Sequence, residues 1–81
     1  MKHSIEIEKL DEIYDSGSLQ VYSGFVFGVK MIIVRNKLIV GYIGKDEWSK
    51  HGYKFKDKKI NKIEEGYYCY FREENDRLYL V

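Results

Sequence analysis

The chain has 81 residues, 44% of them hydrophobic and 16% aromatic, with a formal net charge of +1. This length predicts one small domain, 1–81, and the apolar content excludes a disordered chain. With a single cysteine, Cys69, no disulfide can form within the chain, so we expect a cytoplasmic protein; no signal peptide or membrane segment is expected either.

The N-terminal segment carries two competing patterns. Residues 4–8 alternate apolar and charged side chains, which is typical of a strand. Leu10, Ile13 and Tyr14 instead recur at helical spacing. The segment is therefore a strand to about Lys9, a helix, or a strand that leads into a helical turn, and residues 15–18 then form a turn.

Residues 25–44 predict a central β-hairpin. Two arms rich in β-branched and aromatic residues are separated by the polar triplet 35–37. Because strand side chains alternate, one face of the first arm is expected to carry Phe25, Phe27, Val29, Met31 and Ile33. Neither face of the hairpin is polar throughout, so we expect it to be central in the sheet, covered on both faces, or covered by a second copy in a homodimer.

A short helix is predicted for residues 45–51, because acidic residues come early, basic residues come late, and Gly52 follows. The spacing of Ile60 and Ile63 indicates a second helical turn or a loop. Two aromatic and aliphatic strands, 67–71 and 77–81, end the chain. The predicted fold is α+β and mostly β: a small antiparallel, curled or barrel-like sheet of five or six strands with one or two short helices.

Residues suited to catalysis or metal binding are sparse. His3, His51 and Cys69 are far apart and lack ligand spacing, so we expect no metal, no cofactor and no enzyme. The glycines Gly41 and Gly44 only loosely resemble a phosphate-binding loop. Close strand packing explains Gly41 better, although a pocket between protomers at 41–44 would make the chain a small-ligand sequestering oligomer.

The middle of the chain is basic and both ends are acidic. Residues 30–62 hold ten lysines and arginines against three carboxylates, a net charge of +7. Such a segment beside aromatic strands suits single-stranded nucleic acid. The candidate residues for that function are Tyr68, Tyr70, Arg72 and Tyr79. The competing interpretation is that the charged segments lie side by side and neutralise one another.

The stretch 48–56 is the candidate site for a protein partner, because Trp and Tyr are favoured at protein interfaces. The candidate residues are Trp48, Lys50, His51, Tyr53, Lys54, Phe55 and Lys56. Trp48 could equally close the open end of a small core. If it is an anchor, Trp48→Ala weakens the complex without unfolding the domain.

The segment Gly41-Tyr42-Ile43-Gly44, a short polar helix, then His51-Gly52-Tyr53 with Asp57 following, resembles small uncharacterised proteins of phages and prophages. The resemblance implies no chemistry. It implies a small mobile-element protein, and many of those bind and block a host protein. The leading hypothesis is therefore a non-enzymatic inhibitor of a host or defence protein that acts by surface occlusion, with a single-stranded nucleic-acid-binding domain as the alternative.

Overall fold

The computed structural model describes residues 4–52 and 59–81. They form eight strands, one helix and a 3-10 turn at Ile7–Lys9. In chain order the elements are β1 Ser4–Glu6, β2 Asp11–Asp15, β3 Gln20–Val26, β4 Val29–Arg35, β5 Ile39–Gly44, α1 Lys45–His51, β6 Asn61–Ile63, β7 Gly66–Glu74 and β8 Arg77–Leu80. None of the helices in these residues is long and apolar enough to cross a membrane.

The strands form one antiparallel sheet that is curled into a half-barrel. Its order is β1-β8-β7-β5-β4-β3-β2. β5 pairs with one side of β7, and β6 and β8 share the other side, at the start and the end of that strand. The strongly β, antiparallel and curled character agrees with the fold predicted from the sequence, but eight strands exceed the expected five or six.

The core lies on the concave, inner face of the sheet. Along β4 the burial alternates, so Val29, Met31 and Ile33 point inward while Lys30 and Ile32 are exposed. The inner face brings together the buried side chains of Leu10, Tyr22, Val26, Val29, Met31, Ile33, Ile39, Ile43, Cys69, Phe71, Leu78 and Leu80. This one-sided burial is the usual condition of an antiparallel sheet.

The predicted first arm of the central hairpin is wrong, because the chain turns inside it. Phe27 and Gly28 have φ angles of 54° and 85° and connect β3 to β4. Phe25 therefore pairs with Lys30, is 62% exposed, and does not share a face with Met31. Positive φ is uncommon for a residue such as Phe, so this two-residue turn lacks the usual sequence signature.

A second helical turn around Ile60 and Ile63 is also not found. Residues 61–63 pair with β7 as the short strand β6, with Ile63 opposite Gly66. Gly66 has a φ of 155°, and a side chain there would meet the Ile43 carbonyl oxygen. The N-terminal segment begins as a strand and passes into a 3-10 turn at Ile7–Lys9, but Ile13 and Tyr14, whose spacing suggested a helix, lie in the strand β2.

The helix predicted for residues 45–51 is present as α1. Asp46 and Glu47 lie in its first turn and Lys50 and His51 in its last, which complements the helix dipole. Gly52 follows directly, and its amide donates to the Trp48 carbonyl. The helix therefore starts where β5 ends and contacts β4, β5 and β7.

Candidate binding face

The convex side of the sheet carries exposed apolar side chains. Between β3 and β7, this outer face is formed by the alternate residues that point away from the core. We define the outer face as two neighbouring rows of this side, Val21, Ser23, Ile32, Val34, Val40, Tyr42, Tyr68 and Tyr70. The exposed pair of Phe25 and Lys30 lies on the same side, beyond Ser23 and Ile32. Ile32 is 37% exposed, Tyr42 43% and Tyr70 41%. The others are partly buried.

Strand register arranges these residues in two rows that cross four strands. One row runs Val21, Val34, Val40, Tyr70, and the other runs Ser23, Ile32, Tyr42, Tyr68. Directly opposed side chains in neighbouring strands interact. The rows therefore form one continuous aliphatic and aromatic surface.

The tyrosines at one end of the outer face are held together. The Tyr68 and Tyr70 rings meet edge to face with centroids 5.6 Å apart. The pKa of Tyr70 is raised, chiefly because its phenolate would lie beside that of Tyr68, with smaller contributions from desolvation, a hydrogen bond with Tyr68 and the charge of Tyr42. The Tyr70 hydroxyl is therefore neutral at physiological pH and can both donate and accept hydrogen bonds.

Charged side chains border the outer face at the β7–β8 end. The Arg72 guanidinium lies 4.5 Å from the centre of the Tyr79 ring and 3.2 Å from a Glu74 carboxylate oxygen. One row further along β8, Arg77 lies 3.3 Å from Glu6. Each of these arginines has a carboxylate beside it, so this border is close to neutral.

The sequence-predicted partner residues do not lie on the outer face. Trp48 is half-buried, stacks on Tyr67 with ring centroids 4.1 Å apart, and packs against the core. His51 meets Phe25 edge to face at 6.4 Å, and Lys50 is exposed. The remaining candidates, Tyr53, Lys54, Phe55 and Lys56, lie outside the described residues.

The four nucleic-acid candidates are brought together by the sheet. Tyr68 and Tyr70 belong to the outer face, and Arg72 and Tyr79 are a cross-strand pair that continues the same side of the sheet. The order of the strands, however, places aliphatic side chains rather than lysines on the other side of the tyrosines. Lys30, which opposes the exposed Phe25, is the lysine of β4 on this side.

Sequence reasoning missed most of the outer face. Val21, Ile32, Val34, Val40 and Tyr42 each belong to an alternating pattern that the sequence shows. Alternation assigns a residue to one side of its own strand. It does not reveal which strands are neighbours, so the union of these residues in two rows became visible only with the sheet order.

The glycine segment 41–44 lies in the strand β5. A Cβ atom on Gly41 would lie 2.5 Å from the Met31 sulfur and 2.8 Å from the Phe71 ring, so this glycine allows close packing, as predicted. Next to the exposed Gly44 is a cavity of about 210 Å³, lined by Lys45, Trp48, Ser49, Lys62, Ile63, Gly66 and Tyr67.

Groups suited to metal binding are not clustered in the part of the chain that the structure describes. No set of three or more His, Cys, Asp or Glu side chains there could hold a metal ion. Cys69 is buried on the inner face between core residues. The chain matches no family model, no curated protein and no solved structure.

Proposed function

We propose that this chain is a non-enzymatic binding protein that works by covering a surface of a partner protein, and that the outer face is its contact surface. The observation that carries the proposal is the continuous aliphatic and aromatic surface across β3, β4, β5 and β7. Contiguous exposed apolar patches in a small domain commonly mark interaction sites.

The composition of the outer face supports a protein partner. Interface centres are poor in charged residues and rich in aromatic ones, and their rims are polar. Here no charged residue lies within the two rows, Tyr42 and Tyr70 are accessible, and Arg72 lies at the border. Tyrosines of this kind bury large apolar rings while their hydroxyls keep hydrogen bonds.

The class of partner protein is inferred from the sequence. The resemblance of 41–53 to phage and prophage proteins makes a host or defence protein the first class to test, in a cytoplasmic setting. Lys50, His51 and the residues 53–56 remain proposed contacts at a second surface. The contacts of Trp48 with Tyr67 and the core favour a structural role for that side chain.

The test uses two variants with matched controls. The tagged chain is used to capture protein from host lysate treated with nuclease, and the captured protein is then purified and titrated against each variant by calorimetry. Ile32→Asp, in the centre of the outer face, should weaken binding by at least about 30-fold, because a carboxylate would be desolvated there. Glu64→Lys, in the exposed β6–β7 turn, should bind like the wild type. Equal affinities for both variants would refute the proposed contact surface.

A second candidate function is single-stranded nucleic-acid binding, favoured by the Arg72–Tyr79 pair beside Tyr68 and Tyr70. Aromatic rings next to a guanidinium can stack on bases. Fluorescence anisotropy with a labelled oligonucleotide would show affinity that falls steeply as salt rises. Tyr70→Ala should remove most of that binding. Absent binding, or binding that salt does not change, would eliminate this candidate.

A further inference from the structure

The strand β2 forms one edge of the sheet. It pairs with β3 on one side, and none of the described strands pairs with its other side. All of its residues, Asp11–Asp15, are exposed. We call the unpaired side of these residues the β2 edge. An edge strand presents backbone N–H and C=O groups that lack a strand partner, and an added strand can pair with them.

The charges of the β2 edge are of one sign. Asp11, Glu12 and Asp15 give it three carboxylates and no cation. Residues 8–15 together hold four carboxylates and one lysine, a net charge of −3. Two copies of the chain paired through this edge would bring their carboxylates together, and like charges in neighbouring strands are destabilising. The charge therefore disfavours a second copy and favours a strand that carries cations.

A bulge sets the spacing of two of these carboxylates. Glu12 and Asp15 are three residues apart in sequence, but the register shifts between Glu12 and Tyr14. Glu12 pairs with Tyr22. Asp15 pairs with Gln20, which is only two positions from Tyr22 in β3. Positions two apart in a strand point to the same side, about 7 Å from each other. The two carboxylates therefore match the spacing of alternate residues in an added strand.

The other side of β2 has a different character. Tyr14 pairs with Val21, so it points to the convex side of the sheet, and it is 53% exposed. Ile13, at the bulge, is 58% exposed. Asp11 lies on the same side as Tyr14, opposite Ser23. An added strand would therefore meet two carboxylates on the concave side, and an aromatic ring and one carboxylate on the convex side.

We propose that the β2 edge binds an extended segment of a partner protein as an added strand, and that lysines or arginines alternate with uncharged residues in this segment. Main-chain hydrogen bonds supply affinity, and cations two residues apart face Glu12 and Asp15. This site goes beyond the proposed function, because β2 is not among the four strands of the outer face.

Asp15 is oriented to receive a cation. Its carboxylate accepts hydrogen bonds from the Gln20 side-chain amide at 3.0 Å and from the Gly17 backbone N–H at 2.8 Å. Both hydrogen bonds end on the same oxygen, Oδ1, so the other oxygen can face a cation of the added strand. These hydrogen bonds, that of Gln20 first, lower the pKa of Asp15. The carboxylate is therefore ionised at physiological pH.

The opposite edge of the sheet is less suitable. Its strand, β1, has only three residues, Ser4–Glu6. Glu6 lies 3.3 Å from Arg77, and the Arg77 guanidinium also donates to the Ser4 hydroxyl. The β1 edge is therefore shorter and its carboxylate is already paired, so the β2 edge is the better site for a basic strand.

Calorimetric titration with model peptides tests the site. The probe is a capped peptide of about seven residues in which lysines alternate with threonine and valine, and the control peptide has glutamate in place of each lysine. We expect the lysine peptide to bind with a dissociation constant on the order of 100 µM at low salt, and the glutamate peptide not to bind. Glu12→Lys should weaken binding of the lysine peptide about tenfold, because it places a cation against cations.

Two control variants separate this site from the rest of the molecule. Glu64→Lys makes the same charge change in the exposed β6–β7 turn and should bind the lysine peptide like the wild type. Ile32→Asp, which tests the outer face, should also keep this binding. Circular dichroism establishes that each variant folds. If Glu12→Lys does not fold, Glu12→Gln removes the charge alone and should weaken binding about threefold.

Main-chain pairing is tested separately from charge. Alternate residues of an added strand direct their N–H groups toward β2, so methylating the amides of one alternate set blocks pairing and methylating the other set preserves it. We expect only one of the two methylated lysine peptides to keep its affinity. The unmethylated lysine peptide should also slow amide hydrogen exchange within residues 11–15, measured by NMR.

Several results would overturn the proposal. They are a lysine peptide that does not bind at about 1 mM, a glutamate peptide that binds equally well, equal affinities of the two methylated peptides, and slowed exchange only in strands other than β2. A wild type that dimerises in sedimentation equilibrium and protects the amides of residues 11–15 without peptide would also overturn it, because a second copy would then occupy the edge.

Discussion

Both sides of the sheet carry apolar residues, but the surroundings of these residues differ. On the inner face, Met31 and Ile33 are completely buried within the core cluster. On the outer face, Ile32 lies between them in sequence and keeps 37% of its surface exposed. The comparison shows that apolar character alone does not separate a residue that stabilises the fold from one available for binding.

The largest expected difference is between two adjacent residues of β4. Ile33→Ala removes a fully buried side chain and should lower the free energy of unfolding by about 3–4 kcal/mol, which is much of the stability of a domain this small. Ile32→Ala should lower it by about 1 kcal/mol or less. Urea denaturation followed by circular dichroism measures both. Equal losses would show that the outer face is as important for stability as the inner face.

Trp48 is expected to contribute to stability rather than to binding. It is half-buried and stacks on Tyr67. Trp48→Ala should lower the free energy of unfolding by about 2 kcal/mol, less than the loss for a fully buried aromatic residue. This expectation differs from the sequence-based anchor hypothesis. Unchanged stability together with lost partner binding would support the anchor hypothesis for Trp48. Ser49→Ala, on the same helix, is the control variant.

Two glycines of β5 provide a smaller and sharper comparison. Gly41→Ala would insert a methyl group against Met31 and Phe71 and should destabilise the fold by about 1–3 kcal/mol. Gly44→Ala meets no atom within 4 Å and has a φ of −69°, so it should be nearly neutral. Thermal melting of both variants measures the two changes in stability. A neutral Gly41→Ala would mean that the inner face is loosely packed there.

The smallest expected effect is a pH dependence at the β2–β3 connection. A hydrogen bond from the Gln20 amide, then one from the Gly17 backbone N–H, lowers the pKa of Asp15. A carboxylate with a lowered pKa stabilises the fold above its unfolded pKa, and this contribution disappears as pH falls through the folded pKa. An NMR titration should show the Asp15 pKa rising in Gln20→Ala, and an unchanged pKa would contradict the assigned cause.

Local sequence patterns predicted several elements correctly. The helix of residues 45–51 and the close packing at Gly41 both follow from neighbours in sequence or from side-chain size. The turn at Phe27 and Gly28 was not predicted from the sequence, because a Phe with positive φ is tolerated only when strand pairing on both sides holds it. β6 was missed because three residues are too few to show alternation.

The sequence by itself determined a small β-rich fold and the placement of its short helix, because these depend on local periodicity and composition. Only the tertiary structure decided which side of the sheet is closed and which strands are neighbours. Curling of the sheet buries Ile33 and leaves Ile32 exposed. Register then aligns Val21, Val34, Val40 and Tyr70 across four strands, since long-range pairing, and not local propensity, sets which residues meet.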